Sequence, residues 1–166
     1  MAMSERILRS YFHPRRAMRE LLAGGRREDR ALAHLMGACL LIFVAQWPRL
    51  AREAHLDEEM SLRGLMAGAL FAWLFLAPIL FYGLAALVHL GARLAGLRSS
   101  HYSARAVTFW SLLAVSPLWL VQGFFTGLLG PGMATALLGF GVLAAFGVLL
   151  VSGLREAALE PPAASA

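Results

Sequence analysis

Lysine is absent from this chain of 166 residues, so all 15 basic residues are arginine. That usage reads as genome composition, and the high pI of about 10.6 brings no nucleic-acid role with it. Cysteine occurs once, at Cys39 inside an apolar run, which excludes a disulfide framework or a Cys-based metal motif within one chain. No phosphate-binding Gly-rich loop precedes a lysine, and neither HExxH nor a GxSxG nucleophile elbow is present. Paired carboxylates are missing from the long apolar stretches. These absences argue against a membrane protease and a carboxylate-driven proton pump. No catalytic residue, enzymatic activity or cofactor is expected. A cleavable signal peptide is not visible either: the first 30 residues are polar and hold eight Arg. The first apolar segment is expected to act as an uncleaved signal.

Charge is also missing from residues 64–91. These 28 residues contain no Asp, Glu or Arg, and their ionisable groups are Tyr82 and His89. As an α-helix the stretch is about 42 Å long, more than the ~30 Å of a bilayer's hydrocarbon core. It has to cross a membrane, tilted, with a kink at Pro78. The whole chain agrees, with 59% hydrophobic residues and a mean hydropathy of +0.65.

Three further spans are read at residues 31–47, 106–128 and 133–154. The predicted fold is an all-α integral membrane protein: a bundle of about four transmembrane helices with an N-terminal amphipathic interfacial helix. Residues 1–30 form a tail in which Pro14 opens the helix and Gly24-Gly25 ends it. Ala17, Met18, Leu21 and Leu22 share its apolar face, and Arg15, Arg16, Arg19 and Glu20 its polar one. Such a helix suits the membrane surface, with the three arginines on lipid headgroups; the alternative is a solvated tail that only enforces topology. Residues 31–154 make the transmembrane domain. Residues 155–166 are a short tail, expected to be disordered. Gly130-Pro131-Gly132 is a tight turn that makes the last two spans an antiparallel hairpin.

Arginine counts give the topology. The tail, three loops and C-terminal segment carry 8, 3, 3, 0 and 1 Arg. With four spans, one side collects 8 + 3 + 1 = 12 and the other 3 + 0 = 3. Both termini are therefore expected in the cytoplasm.

Several stretches carry a resemblance. Phe12-His13-Pro14-Arg15-Arg16-Ala17-Met18-Arg19-Glu20-Leu21-Leu22 resembles the start of the Yip domain family of multispanning membrane proteins. Residues 29–56, with CLLIFVAQWPRLAREAHL, are similar to α-proteobacterial members. So is Phe109-Trp110 followed by Ser116-Pro117-Leu118. The resemblance implies a helical membrane fold, a bacterial inner-membrane location and no catalytic residues. Eukaryotic members bind Rab-type GTPases through a cytosolic N-terminal region, which here has only about 30 residues. The family is usually described with five spans, and four long ones are legible.

The polar groups inside the spans have two readings each. His34 and His89 lie at similar depth and can ligate a haem or metal from neighbouring helices, or hydrogen-bond near the interface. Gln46 and Gln122 are helix-to-helix glue or, with Ser111 and Ser116, part of a polar path. Pro78 and Pro117 are static kinks or the broken helices of a transporter. Gly64-x-x-x-Gly68 and Gly123-x-x-x-Gly127 bring backbones together, within the chain or between copies. The Gln46-Trp47-Pro48-Arg49 stretch fixes the outer end of the first span. Arg49 and Arg52 face Glu53 and Asp57-Glu58-Glu59, as local ion pairs or as a partner site.

The leading reading is a Yip-like, non-enzymatic membrane scaffold or accessory protein. It acts on membrane lipids and on a membrane-protein partner or a second copy of itself. A transport component and a haem-binding redox subunit using His34 and His89 are the alternatives.

Overall fold

Excess helix length organises the molecule. The computed structural model describes residues 3–25, 27–57, 61–97 and 100–159, and the regular structure among them is helical throughout. Two short helices, α1 (Met3–Phe12) and α2 (Pro14–Ala23), precede the long ones. These are α3 (Glu28–Leu56), α4 (Leu62–Phe71) running into α5 (Ala77–Leu94), α6 (His101–Leu129) and α7 (Met133–Leu159). Four stretches are long and apolar enough to cross a membrane, and the shortest has 27 residues. That is roughly 40 Å of helix against a ~30 Å hydrocarbon core, so the ends project beyond it.

The first span does not stop at Trp47. α3 continues through Pro48 to Leu56. Proline removes one backbone donor, and the following turns are held from outside. Arg49 bonds Gln46 and pairs with Glu53 one turn on. Arg52 donates to the carbonyl of Leu128 at 3.2 Å, at the C-terminal end of α6. That end leaves carbonyls without intrahelical donors, which a guanidinium suits in charge and geometry.

Proline is absorbed in two different ways in the next spans. Ahead of Pro78 a π-helical turn, Ala72–Leu76, joins α4 to α5, and the Ala77 N–H reaches back five residues to the Ala72 carbonyl. The helix therefore runs on, with no re-entrant segment. Within α6, Pro117 cannot donate to the carbonyl of Leu113. The Ser116 hydroxyl donates to that same carbonyl at 2.8 Å, inside the core. Ser116→Ala is expected to lower unfolding stability in detergent by about 1 kcal/mol, because a buried acceptor loses its donor. Ser116→Thr restores it.

The core is built on α6, in which residues 106–116 are buried without interruption. No helix facing lipid on one side buries eleven successive residues, so this half of α6 is enclosed by protein all round. α3 covers one flank and α7 and α5 others, and α1 and α2 close the remainder. The last turn of α7 belongs to the same packing: Glu156 and Ala157 are buried. Residues 155–159, expected in a disordered tail, are thus helical, and residues 160–166 lie outside the described ones.

Candidate functional site

α1 and α2 form a bent pair laid on the bundle end that carries both termini. α2 starts as expected: Pro14 takes a first-turn position, where its missing N–H costs nothing. Its apolar face is not turned to the bilayer, however. Ala17, Met18 and Leu22 are buried in the protein core. The Met18 thioether lies over Gly153 of α7, where an added Cβ would come within 3.1 Å of the sulfur. An apolar helical stripe fits protein and lipid equally well, so its partner is decided by geometry that the pattern does not contain.

α1 was not expected. Its inward side carries polar groups beside Ile7, which packs on the core: the Ser10 hydroxyl bonds the Arg6 carbonyl at 2.9 Å and accepts from the indole N–H of Trp110 at 3.2 Å. The Tyr11 hydroxyl donates to the carbonyl of Ala114. Burial pushes the Tyr11 phenol above its usual value of 10.0. A group with a raised folded pKa stabilises the docked form below pH ~10, and that contribution is lost as pH rises through the folded value. Hydrogen exchange over α1 is expected to accelerate above pH 10, and Tyr11→Phe to remove that step.

On the outer side of α2 an open groove of about 560 Å³ is lined by His13, Pro14, Arg15, Arg16, Arg19, Glu20 and Ser152 of α7. Glu20 lies 3.6 Å from Arg16 and 3.7 Å from Arg9. Arg19 reaches the other way, to the carboxylate of Glu156 at 3.1 Å. Arg15 makes no ion pair or hydrogen bond among the described residues, and its side chain is exposed.

The remaining residues singled out in the sequence do not converge. His34 stands edge-on to Trp110 at 4.9 Å, with its buried Nδ1 lacking a hydrogen bond among the described residues. His89 instead meets His101, the ring centroids 3.9 Å apart and the planes tilted by 37°, a neighbour supplied by the next helix. Gln46 accepts from Arg49, and Trp47 packs edge-on to Phe43. Gln122 lies against α7, where a Cβ on Gly139 would come 3.0 Å from its amide nitrogen. Ser111 and Ser116 are fully buried, and the Ser111 hydroxyl has no hydrogen-bond partner among the described residues. Pro78 sits beside an aromatic cluster in which Trp73 meets Phe81 and Trp119. Glu58 and Glu59, on the acidic side of the Arg49 loop, lie outside the described residues.

The glycine motifs separate cleanly. Gly127 lies on Pro48 of α3, whose carbonyl carbon would be 2.8 Å from an added Cβ, and Gly123 lies still closer on Ala45. Around Gly68, Gly83 and Gly91 nothing comes within 4 Å. One motif serves packing within the chain. The other faces outward.

These features define a small multi-pass α-helical membrane protein whose terminal end is closed by a docked pair of amphipathic helices. The Yip1 domain model matches residues 8–165, and the chain belongs to that family. No curated protein and no solved structure matches it significantly.

Proposed function

We propose that the chain is a non-enzymatic scaffold or accessory protein of the bacterial inner membrane, with both termini in the cytoplasm. The observation that carries this reading is the contrast between spans. In its most apolar window the first span is 44% buried within the chain and the second only 6%. Leu80, Leu87 and Leu90 of the second span are exposed, and the glycines beside them leave room for a neighbouring backbone. Without a hydrophobic drive between helices in lipid, association rests on such close approach. Several polar groups of the interior, by contrast, serve the fold: Ser116 fills a proline gap, Gln46 takes up an arginine and Ser10 a tryptophan, while His34 Nδ1 and Ser111 Oγ are buried without a hydrogen bond among the described residues. The second span thus offers a surface to another membrane helix, from a partner protein or a second copy. The basic outer face of α2, with Arg15, Arg16 and Arg19, meets the headgroups.

The test is site-specific photo-crosslinking in native membranes, with the photoreactive side chain at Leu87 and, as a control, at Val142 inside the bundle. A discrete protein adduct from Leu87, absent from the control, is the expected result. Lipid adducts alone at Leu87 overturn the scaffold reading.

A further inference from the structure

The groove beside α2 has the composition of an anion site. Three arginines and His13 line it against one carboxylate, Glu20, so its formal charge is 3 − 1 = +2 with histidine neutral. Arg19 is held by Glu156 at 3.1 Å, whereas Glu20 pairs only loosely with Arg9 and Arg16, at 3.7 and 3.6 Å, which leaves Arg15 and the 75% exposed Arg16 available to an anion. The first turn of α2 adds backbone N–H groups, since Pro14 opens the helix and the His13 side chain forms no capping hydrogen bond.

Its surroundings are apolar on one side. Phe12, next to His13, is 73% exposed, and Leu8, one turn earlier on α1, is 60% exposed. On α7, Val148 lies one turn from Ser152 on the same helix face, toward the middle of the bundle, and is exposed too. A soluble anion has no use for this border. Depth points the same way. Ser152 lies seven residues from the end of α7 at Leu159, roughly 10 Å along the axis. The helix exceeds the hydrocarbon thickness by about as much. Cationic groups thus sit where the apolar slab ends, with apolar side chains below them.

We infer that this groove is a binding site for a phosphate group, and that its occupant is the headgroup of an anionic phospholipid whose chains run along α7. Arg15 and Arg16 hold the phosphate, where planar guanidinium groups form paired, charge-assisted bonds. The Ser152 hydroxyl lies on the opposite wall. The inference rests on the reading above only in placing this end of the bundle at a membrane surface; it needs no protein partner.

The experiment uses the full chain, delipidated in a neutral detergent, and follows binding by native mass spectrometry and by the thermal midpoint. The probes are phosphatidylglycerol, phosphatidylcholine and inorganic phosphate. Phosphatidylglycerol is expected to bind at one tight site and raise the midpoint, and phosphatidylcholine to do neither. Arg15→Gln, at a side chain with no partner among the described residues, is expected to weaken that site about tenfold, and Arg16→Gln comparably. Arg63→Gln, exposed on α4 with the same loss of charge, should leave it unchanged. Affinity unchanged from that of the unsubstituted chain in both Arg15→Gln and Arg16→Gln overturns the site. An equal shift with inorganic phosphate overturns the lipid and leaves a free-phosphate site. Neither result bears on the Leu87 crosslink, so the two readings fail separately.

Discussion

Gly127→Ala and Gly123→Ala are each expected to destabilise the bundle by about 3 kcal/mol or more, the upper part of the range for overpacking a close-fitting interior. A Cβ on Gly127 would stand 2.9 Å from the carbonyl oxygen of Pro48 and 2.3 Å from its ring Cβ: backbone and a rigid ring, with no flexible group between them. Neither neighbour can rotate away. Relief requires α3 and α6 to separate, and these two helices share the largest interface of the fold. Separation would also draw Arg52 off the α6 carbonyls that it covers. The same substitution at Gly68 meets nothing and replaces the poorest non-proline helix former with the best. It is expected to be neutral or mildly stabilising in the isolated chain. Thermal unfolding in detergent, followed by the fraction still monodisperse, measures both. Equal effects at Gly127 and Gly68 would refute the α3–α6 contact.

What the sequence made legible follows from the solvent. A bilayer demands about 20 consecutive apolar residues per crossing, so four spans announce themselves by length and lack of charge. Pro14 and Gly24-Gly25 likewise mark α2 by local backbone chemistry alone. The destination of each face is another matter. Met18 and Leu22 suit a bilayer as well as a protein groove, and only the arrival of Gly153 at the same place decides. α1 escaped notice because its inward face, apart from Ile7, is carried by Ser10 and Tyr11, whose partners Trp110 and Ala114 lie about a hundred residues away. Glu5 in its first turn and Arg9 in its last are the local marks of a helix that was there to be read. For the histidines, similar depth suggested a pair, but depth does not fix the rotation of a helix about its axis. His34 was turned to Trp110 and His89 to His101.

Loss of Arg19 is expected to cost more than loss of its partner, and that asymmetry identifies how the helical pair is held. Glu156 is 6% exposed while the Arg19 side chain is 71% exposed. Removing the carboxylate releases a guanidinium that water already solvates. Removing the guanidinium leaves a buried carboxylate with no cation, and the cost approaches the ~3 kcal/mol seen when one partner of a buried pair is deleted. Exposure of Arg19 screens the pair and lowers this toward about 2 kcal/mol. Arg19→Leu should therefore expose Ala17, Met18 and Leu22 to exchange and proteolysis, whereas Glu156→Gln should cost about 1 kcal/mol or less. The double variant Arg19→Leu/Glu156→Leu should recover most of the loss, because two apolar side chains can share the site without a stranded charge. Hydrogen exchange across residues 14–23 reads the local opening without requiring the bundle to unfold. If Glu156→Gln opened α2 as far as Arg19→Leu, the ion pair would be acting through geometry and not through the buried charge. If neither did, the pair would be held by Met18 against Gly153 and by Tyr11 against Ala114, with the charges as bystanders.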